Sequence, residues 1–203
     1  MASQWSGHRQ SHRGFADPEH PFRIVGTGKH NAYKLFAEIF WNLLKADGRL
    51  GVILPTGIYS DFGTKDLRET FLFQGRIDFL YAFQNEKKIF TAADHRYKQV
   101  ALFVSRGGKT ESFRTRFRMG VGDSPEAYEL PDDILRNDLA AMVFTPDDIR
   151  TNSPKTLSLV ELKSDRDLEI FRKIYAHSTH IGNKTPGWDL SYSQKINMTG
   201  LPQ

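Results

Sequence analysis

NAYKLFAEIFWNLLKADGRLGVILPTGIYSDFGTKDLRETFLFQGRIDFLYAFQNEKKIFTAADHRYKQVALFVSRGG, residues 31–108, is the stretch whose reading decides the fold. Asn31 is a good helix N-cap, and Phe36, Ile39, Phe40, Leu43 and Leu44 follow it at helical spacing, which predicts a helix with one apolar face. Tyr33, Leu35 and Trp41 widen that face, so the helix is expected to pack on two sides. Gly48 stands where a helix C-cap falls. Arg49 to Leu54 is then a short apolar run with little alternation, the pattern of a buried parallel strand, and Pro55 ends it. Thr64 is placed to cap a second helix through Phe73, with Leu67, Phe71 and Leu72 inward and Gly75 closing it. Ile77 to Phe83 and Gln99 to Ser105 read as two strands joined by a charged loop, with Gly107 and Gly108 punctuating the end.

Moving outward, Ser112 to Arg118 alternates cleanly, with Phe113 and Phe117 on one face and Arg114, Arg116 and Arg118 on the other. Residues 121–157 are acidic and proline-punctuated, with one short apolar helix candidate from Ile134 to Met142, and read as a connector. Ser164 to Tyr175 predicts a further helix on Leu168, Ile170, Phe171 and Ile174. Residues 1–20 are polar and without period, as expected of a disordered or cut end. The expected division is therefore 1–20 as that end, 21–120 as the main unit, 121–157 as connector and 158–203 as the start of a downstream, truncated domain.

A chain of 203 residues with 39% hydrophobic and 12% aromatic side chains can fill one domain core, or one core and a fragment of a second. The formal charge of +4 suits a nucleic-acid partner without forming a dense basic stripe. There are no cysteines, which excludes disulfides, thiolate zinc sites and cysteine nucleophiles. No apolar run approaches the roughly 18 residues a bilayer span needs, and MASQWSGHRQSHRG has no apolar signal core. A soluble cytoplasmic protein with no membrane partner is the expectation.

Several motifs fall away on spacing. Gly26-Thr27-Gly28-Lys29 invites a phosphate-loop reading, but that loop needs Gly at 23 and Ser or Thr at 30, which are Arg23 and His30. His8/His12 and His177/His180 have metal-compatible spacing and no third ligand in a recognisable pattern, so no metal is expected. No G-x-S-x-G elbow exists to support serine-hydrolase chemistry. The loop from Asn85 to Lys98 is richer: Lys87, Lys88, Arg96 and Lys98 surround Phe90 and Tyr97. Cations that neutralise phosphates, interleaved with rings that stack on bases, suit a nucleic-acid surface. A charged hairpin connection with its aromatics tucked inward fits the same residues equally well. Arg114, Arg116 and Arg118 could likewise track phosphates or form the solvent face of an edge strand.

The wording N-x-YKLF-x-E, then GRLGVILP-[ST]-GIY-x-D, then KKIF and R-[YF]-K resembles the large adenine-N6 DNA methyltransferases of fused restriction–methylation polypeptides and BREX-type phage defence. Leu168 to Tyr175, Trp188 and Asn197-Met198-Thr199 resemble the start of the region that follows the catalytic domain there. The resemblance implies an α/β fold: the C-terminal half of a Rossmann-like S-adenosylmethionine-dependent methyltransferase sheet, its last two strands an antiparallel hairpin, with an α+β extension. It implies S-adenosylmethionine as cofactor and double-stranded DNA as partner, with the target adenine flipped out and stacked on an aromatic. Phe90 of KKIF matches that aromatic; Lys87, Lys88, Arg96, Tyr97 and Lys98 would flank the DNA, and Pro55 and Thr56 would line the active-site side of the sheet. The family's donor-binding Gly loop and [DNS]-P-P-[YF] tetrapeptide have no match here; Asp17-Pro18 and His20-Pro21 lack the double proline and the aromatic. The implied reading is a fragment inactive by itself, completed by the missing N-terminal half or by a partner chain. A non-catalytic DNA-binding or subunit-assembly module is the alternative.

Overall fold

The computed structural model describes residues 22–25, 31–121, 130–137 and 141–178. The predicted phosphate-loop look-alike at 26–29, the residues 1–20, His180, Trp188 and Asn197–Thr199 lie outside these. Six helices are present among the described residues: α1 Ala32–Leu43, α2 Gly57–Ser60, α3 Lys65–Phe73, α4 Pro131–Asn137, α5 Pro146–Asn152 and α6 Asp165–Ala176. Five strands, β1 Arg49–Pro55, β2 Gly75–Gln84, β3 Lys98–Arg106, β4 Phe113–Met119 and β5 Met142–Phe144, form one sheet in the order β1-β3-β2-β4-β5. Only β2 and β4 run parallel; β1–β3, β2–β3 and β4–β5 are antiparallel.

The main core lies on one face of this sheet. Leu50, Val52 and Leu54 of β1 pair in register with Val104, Leu102 and Val100 of β3, and that row packs with Ile77, Leu80, Phe113 and Phe117. Ala37 and Trp41 of α1, Leu67, Phe71 and Leu72 of α3, Ile149 of α5, and Leu168 and Phe171 of α6 cover it. Trp41 meets Phe71 at 5.6 Å between ring centroids. Gly75 opens β2 rather than closing α3, whose C-cap is Gln74, and a Cβ there would stand 2.8 Å from the Trp41 ring and 2.9 Å from the Ser105 carbonyl. A smaller cluster of Tyr81, Phe83 and Met119 sits on the opposite face. A bulge sends Met119 there: Arg118 takes a left-handed φ of 64°, and the register jumps from Tyr81–Arg116 to Phe83–Met119.

Four local expectations are corrected. The apolar stripe of α1 is largely bare: Phe36 is 53% and Leu43 75% exposed, while Lys34, Ala37, Glu38 and Trp41 are buried. Glu38 is drawn inward by the chain before the helix, accepting the backbone N–H groups of Arg23, Ile24 (2.9 Å) and Val25 (2.7 Å). Strand β1 is antiparallel to its one neighbour among the described residues, and its burial alternates instead of running continuously. The helix expected from Ile134 to Met142 is instead α4, ending at Asn137, followed by β5 from Met142. Gly48 is likewise not the cap of α1: Leu44 is, in extended conformation, and Asp47 carries the left-handed turn.

Candidate nucleic-acid interface

The register sets Pro55, Gln99 and Phe83 side by side across three strands. The end of β1, the start of β3 and the end of β2 therefore share one edge, where the corner after β1 and the loop between β2 and β3 meet.

At that corner Pro55 is exposed and Thr56 half-buried at the start of α2. The chain is then fastened by side chains rather than by helix length. Thr64 does cap α3 by position, but its hydroxyl donates to the carbonyls of Gly57 (2.7 Å) and Asp61 (3.0 Å). Arg68, buried beneath, donates to the carbonyls of Ile58 (2.9 Å), Asp61 (2.7 Å) and Thr156 (2.6 Å). Burial lowers its guanidinium to about 10, against the raising influence of Asp61. Residues 156–161 thus form a strap across α2. Leu159 N–H donates to the Tyr59 carbonyl (3.0 Å), the Ser158 hydroxyl to the Ser60 carbonyl (3.0 Å), and the Tyr59 phenol to Glu161 Oε1 (2.7 Å). Burial first, then the charge and hydrogen bond of Glu161, push the Tyr59 phenol well above its usual range.

The loop between β2 and β3 carries the predicted cations and rings. Phe90 is half-buried, its ring 6.4 Å from Phe83, on the margin of the smaller cluster. Lys87 and Lys88 are exposed, Lys88 in a left-handed conformation (φ 51°). Tyr97 is 66% exposed. Arg96 grips Asp94 with two nitrogens, at 3.1 and 2.8 Å, and that guanidinium holds the Asp94 carboxyl well below the ordinary carboxylate range. Lys98 reaches Glu161 of the strap at 3.1 Å. The structure thus brings Phe90, Lys87, Lys88, Arg96, Tyr97 and Lys98 to the same sheet edge as Pro55 and Thr56, with Arg96 on Asp94 and Lys98 on Glu161. Elsewhere, Arg114 is exposed, and Arg116 and Arg118 are half-buried on β4.

Sequence reasoning did not find Asn85, Tyr59, Arg68 or Glu161. Asn85 is fully buried: its Nδ2 donates to the carbonyls of Phe90 (2.8 Å) and Ala93 (3.0 Å), and its Oδ1 accepts from Phe90 N–H (2.9 Å). An Asn opening a loop is the only local signal for it. Glu161 has none, since its partners stand 63 and 102 residues away.

Among the described residues no cluster of three His, Cys, Asp or Glu could hold a metal, and no helix is long and apolar enough to cross a membrane. At the strand-to-helix corner, a Cβ on Gly57 would stand 2.5 Å from both the Asp61 carboxylate and the Tyr33 hydroxyl, so the tips of these two side chains lie over that backbone.

The Eco57I restriction-modification methylase family model matches residues 18–90. Over that stretch, about a third of its length, the chain is similar to the restriction–modification methylases. No curated protein matches it. Among solved structures, the M protein of the type I restriction enzyme EcoKI is 14% identical, with a TM-score of 0.52, over 77% of this chain and 47% of that one. This likeness shows a shared fold. A modification subunit of a putative type I restriction enzyme from Vibrio vulnificus YJ016 is 16% identical over 66% of this chain and 31% of its own, with a TM-score of 0.47. The chain spans less than half the length of either structure. The α/β fold of a methyltransferase, expected from the sequence, is present as a mixed five-stranded sheet.

Proposed function

We propose that this chain is the target-side part of a DNA methyltransferase that transfers a methyl group from S-adenosylmethionine to adenine N6 in duplex DNA. The observation that carries the reading is the meeting of Pro55, Thr56 and the Phe90 loop at one sheet edge of a restriction–modification methylase segment. In this role Phe90 stacks on the flipped adenine, Lys87, Lys88 and Lys98 meet backbone phosphates, and Tyr97 adds a second exposed ring. Arg96 reaches DNA only by leaving Asp94. The donor is held by protein outside this chain, in keeping with the lack of a match to the family's donor-binding Gly loop in the sequence. The chain alone is then a DNA-binding half without turnover.

A second polypeptide segment completes the enzyme against the bare side of the molecule. Phe36, Ile39 and Leu43 of α1, with Ile53 and Phe103 of the sheet, are all exposed. An open groove lined by Phe40, Leu50, Gly51, Ile53, Ala101 and Phe103 joins these two parts. Contiguous apolar surface of this kind marks an interaction site, and a strand edge such as that of β1, which has no second neighbour among the described residues, is a template for pairing. The occupant is the other half of the catalytic domain, in the same polypeptide or in a partner subunit.

The test is a filter assay with tritiated S-adenosylmethionine and mixed-sequence duplex DNA, run beside a salt titration of DNA binding. Salt-sensitive binding without methyl transfer is expected. Turnover by the chain alone would overturn the division of labour, and absence of DNA binding at low salt would overturn the interface.

A further inference from the structure

We infer that Asn85 is the positioning residue of the aromatic loop, holding Phe90 ready for a base before DNA arrives; the inference rests on the reading of Phe90 as a stacking residue. All the hydrogen-bonding groups of Asn85 are used within this one loop. Its backbone N–H donates to Tyr97 O (3.1 Å) and its carbonyl accepts from Lys88 N–H (2.8 Å). Its side-chain oxygen takes the Phe90 N–H, and its two amide protons go to Phe90 O and Ala93 O. Phe90 is thereby held by both of its backbone polar groups, from one buried side chain.

The identity of the residue follows from this pattern. One acceptor and two donors on a short side chain are an asparagine's complement. Aspartate has no donor for the two carbonyls, serine has one, and glutamine is a methylene too long for the same closure. The amide orientation is fixed by its partners, since an N–H must face Oδ1 and carbonyls must face Nδ2. Ala93 N–H closes the turn back onto Phe90 O at 3.2 Å, and Tyr97 N–H bonds Asp94 O at 3.2 Å. The loop is therefore ordered without a ligand, which removes the cost of ordering it on binding. Phe90 stands against Phe83 with its ring on the margin of the cluster, where a further ring can be added to the stack.

The experiment uses the full chain. Because it contains no cysteine, Thr91→Cys gives a single thiol for a nitroxide label beside Phe90, on a residue that is exposed. The label's spectrum is recorded in the wild-type background and with Asn85→Asp. Affinity for a mixed-sequence duplex containing 2-aminopurine is measured for Asn85→Asp, Phe90→Ala and the double variant. The expected result is an immobilised label that becomes mobile in Asn85→Asp. Phe90→Ala and Asn85→Asp should each weaken binding about tenfold, within the usual worth of one stacked base, and the double variant should be no worse than Phe90→Ala alone. A label equally immobile in both backgrounds overturns the positioning role. So does full additivity of the two substitutions. If Phe90→Ala leaves binding unchanged, the stacking reading itself falls, whichever way the label behaves. Should Asn85→Asp fail to fold, Asn85→Ser, which keeps one donor and one acceptor, is expected to give an intermediate label mobility.

Discussion

The two sides of this molecule are finished to different degrees. At the sheet edge carrying Pro55, Thr56 and Phe90, the loops are tied by Arg68, Asn85, Tyr59 and Glu161, with partners spread over the chain. Across α1 and β1, apolar side chains stand in the open: Ile53 is 51% exposed, and Phe103 lies over Gly51, where a Cβ would come within 2.5 Å of its ring. The first side is internally complete, as a preorganised recognition surface needs to be. The second is an exposed apolar face. The contrast teaches that loops can be held rigidly beside a bare apolar face, because the ties of those loops run between polar groups and do not draw on that face.

The largest expected effect breaks the finished side. Arg68→Ala removes the donors from the carbonyls of Ile58, Asp61 and Thr156 beneath the strap. Leaving such groups buried and unsatisfied costs about 1–3 kcal/mol each, so a loss of roughly 3 kcal/mol or more is expected, read from the urea midpoint. A loss below about 1 kcal/mol would mean that the strap is not fastened there.

Next is the α5–α6 corner, where a pH test applies. Asp148 accepts from Arg172 Nε (2.7 Å) and Nη2 (2.8 Å), and closes the capping box of α5 with Thr145. Burial pushes its carboxyl up, but the hydrogen bonds from Arg172 and Thr145 together hold it below its ordinary value. A carboxyl lowered in the folded state stabilises the fold above the unfolded value, near 3.9, and that contribution disappears as pH falls through the folded value. Asp148→Asn is therefore expected to cost about 1–2 kcal/mol at neutral pH, with the gap to wild type closing below about pH 4. Chemical unfolding at pH 7 and pH 3 checks this. A gap that persists unchanged at pH 3 would assign the loss to packing.

The bare side predicts the opposite behaviour. Ile53→Lys changes an exposed side chain and should alter stability by no more than about 0.5 kcal/mol, yet a charge on the open strand edge should suppress self-association. Light scattering against concentration checks this. A destabilised variant, or one that associates as wild type does, would show that Ile53 is covered within the chain.

Legibility in the sequence follows the same divide. Helix α3 and the pair β2–β3 were readable because their signals are local: Thr64, the spacing of Leu67 and Phe71, and two β-rich runs. The apolar stripe of α1 was readable as a stripe, but periodicity says which residues are apolar and not what covers them, so its burial was misjudged. Glu38 went inward for a reason lying before the helix, in the N–H groups of residues 23–25. Strand β5 is three residues long, too short for alternation to register. In the site, the loop's cations and rings were visible as types. Their engagement was not, because the Lys98–Glu161 and Tyr59–Glu161 contacts depend on how the strap returns across the sheet.

The smallest effect on stability carries the finest test of the finished side. Glu161→Gln keeps an oxygen for the Tyr59 phenol and removes the charge facing Lys98. The pair is partly exposed, so its loss should shift stability by less than about 1 kcal/mol. DNA binding should respond more clearly. Lys98 then has no carboxylate to leave before it meets a phosphate, so affinity at a fixed low salt should rise by up to about fivefold, the worth of one surface ion pair. Tighter binding at unchanged stability is expected of Lys98 on the DNA path, with Glu161 as the anion that holds its seat until a phosphate arrives. Unchanged affinity would remove Lys98 from the interface and leave Glu161 as a fastening of the strap.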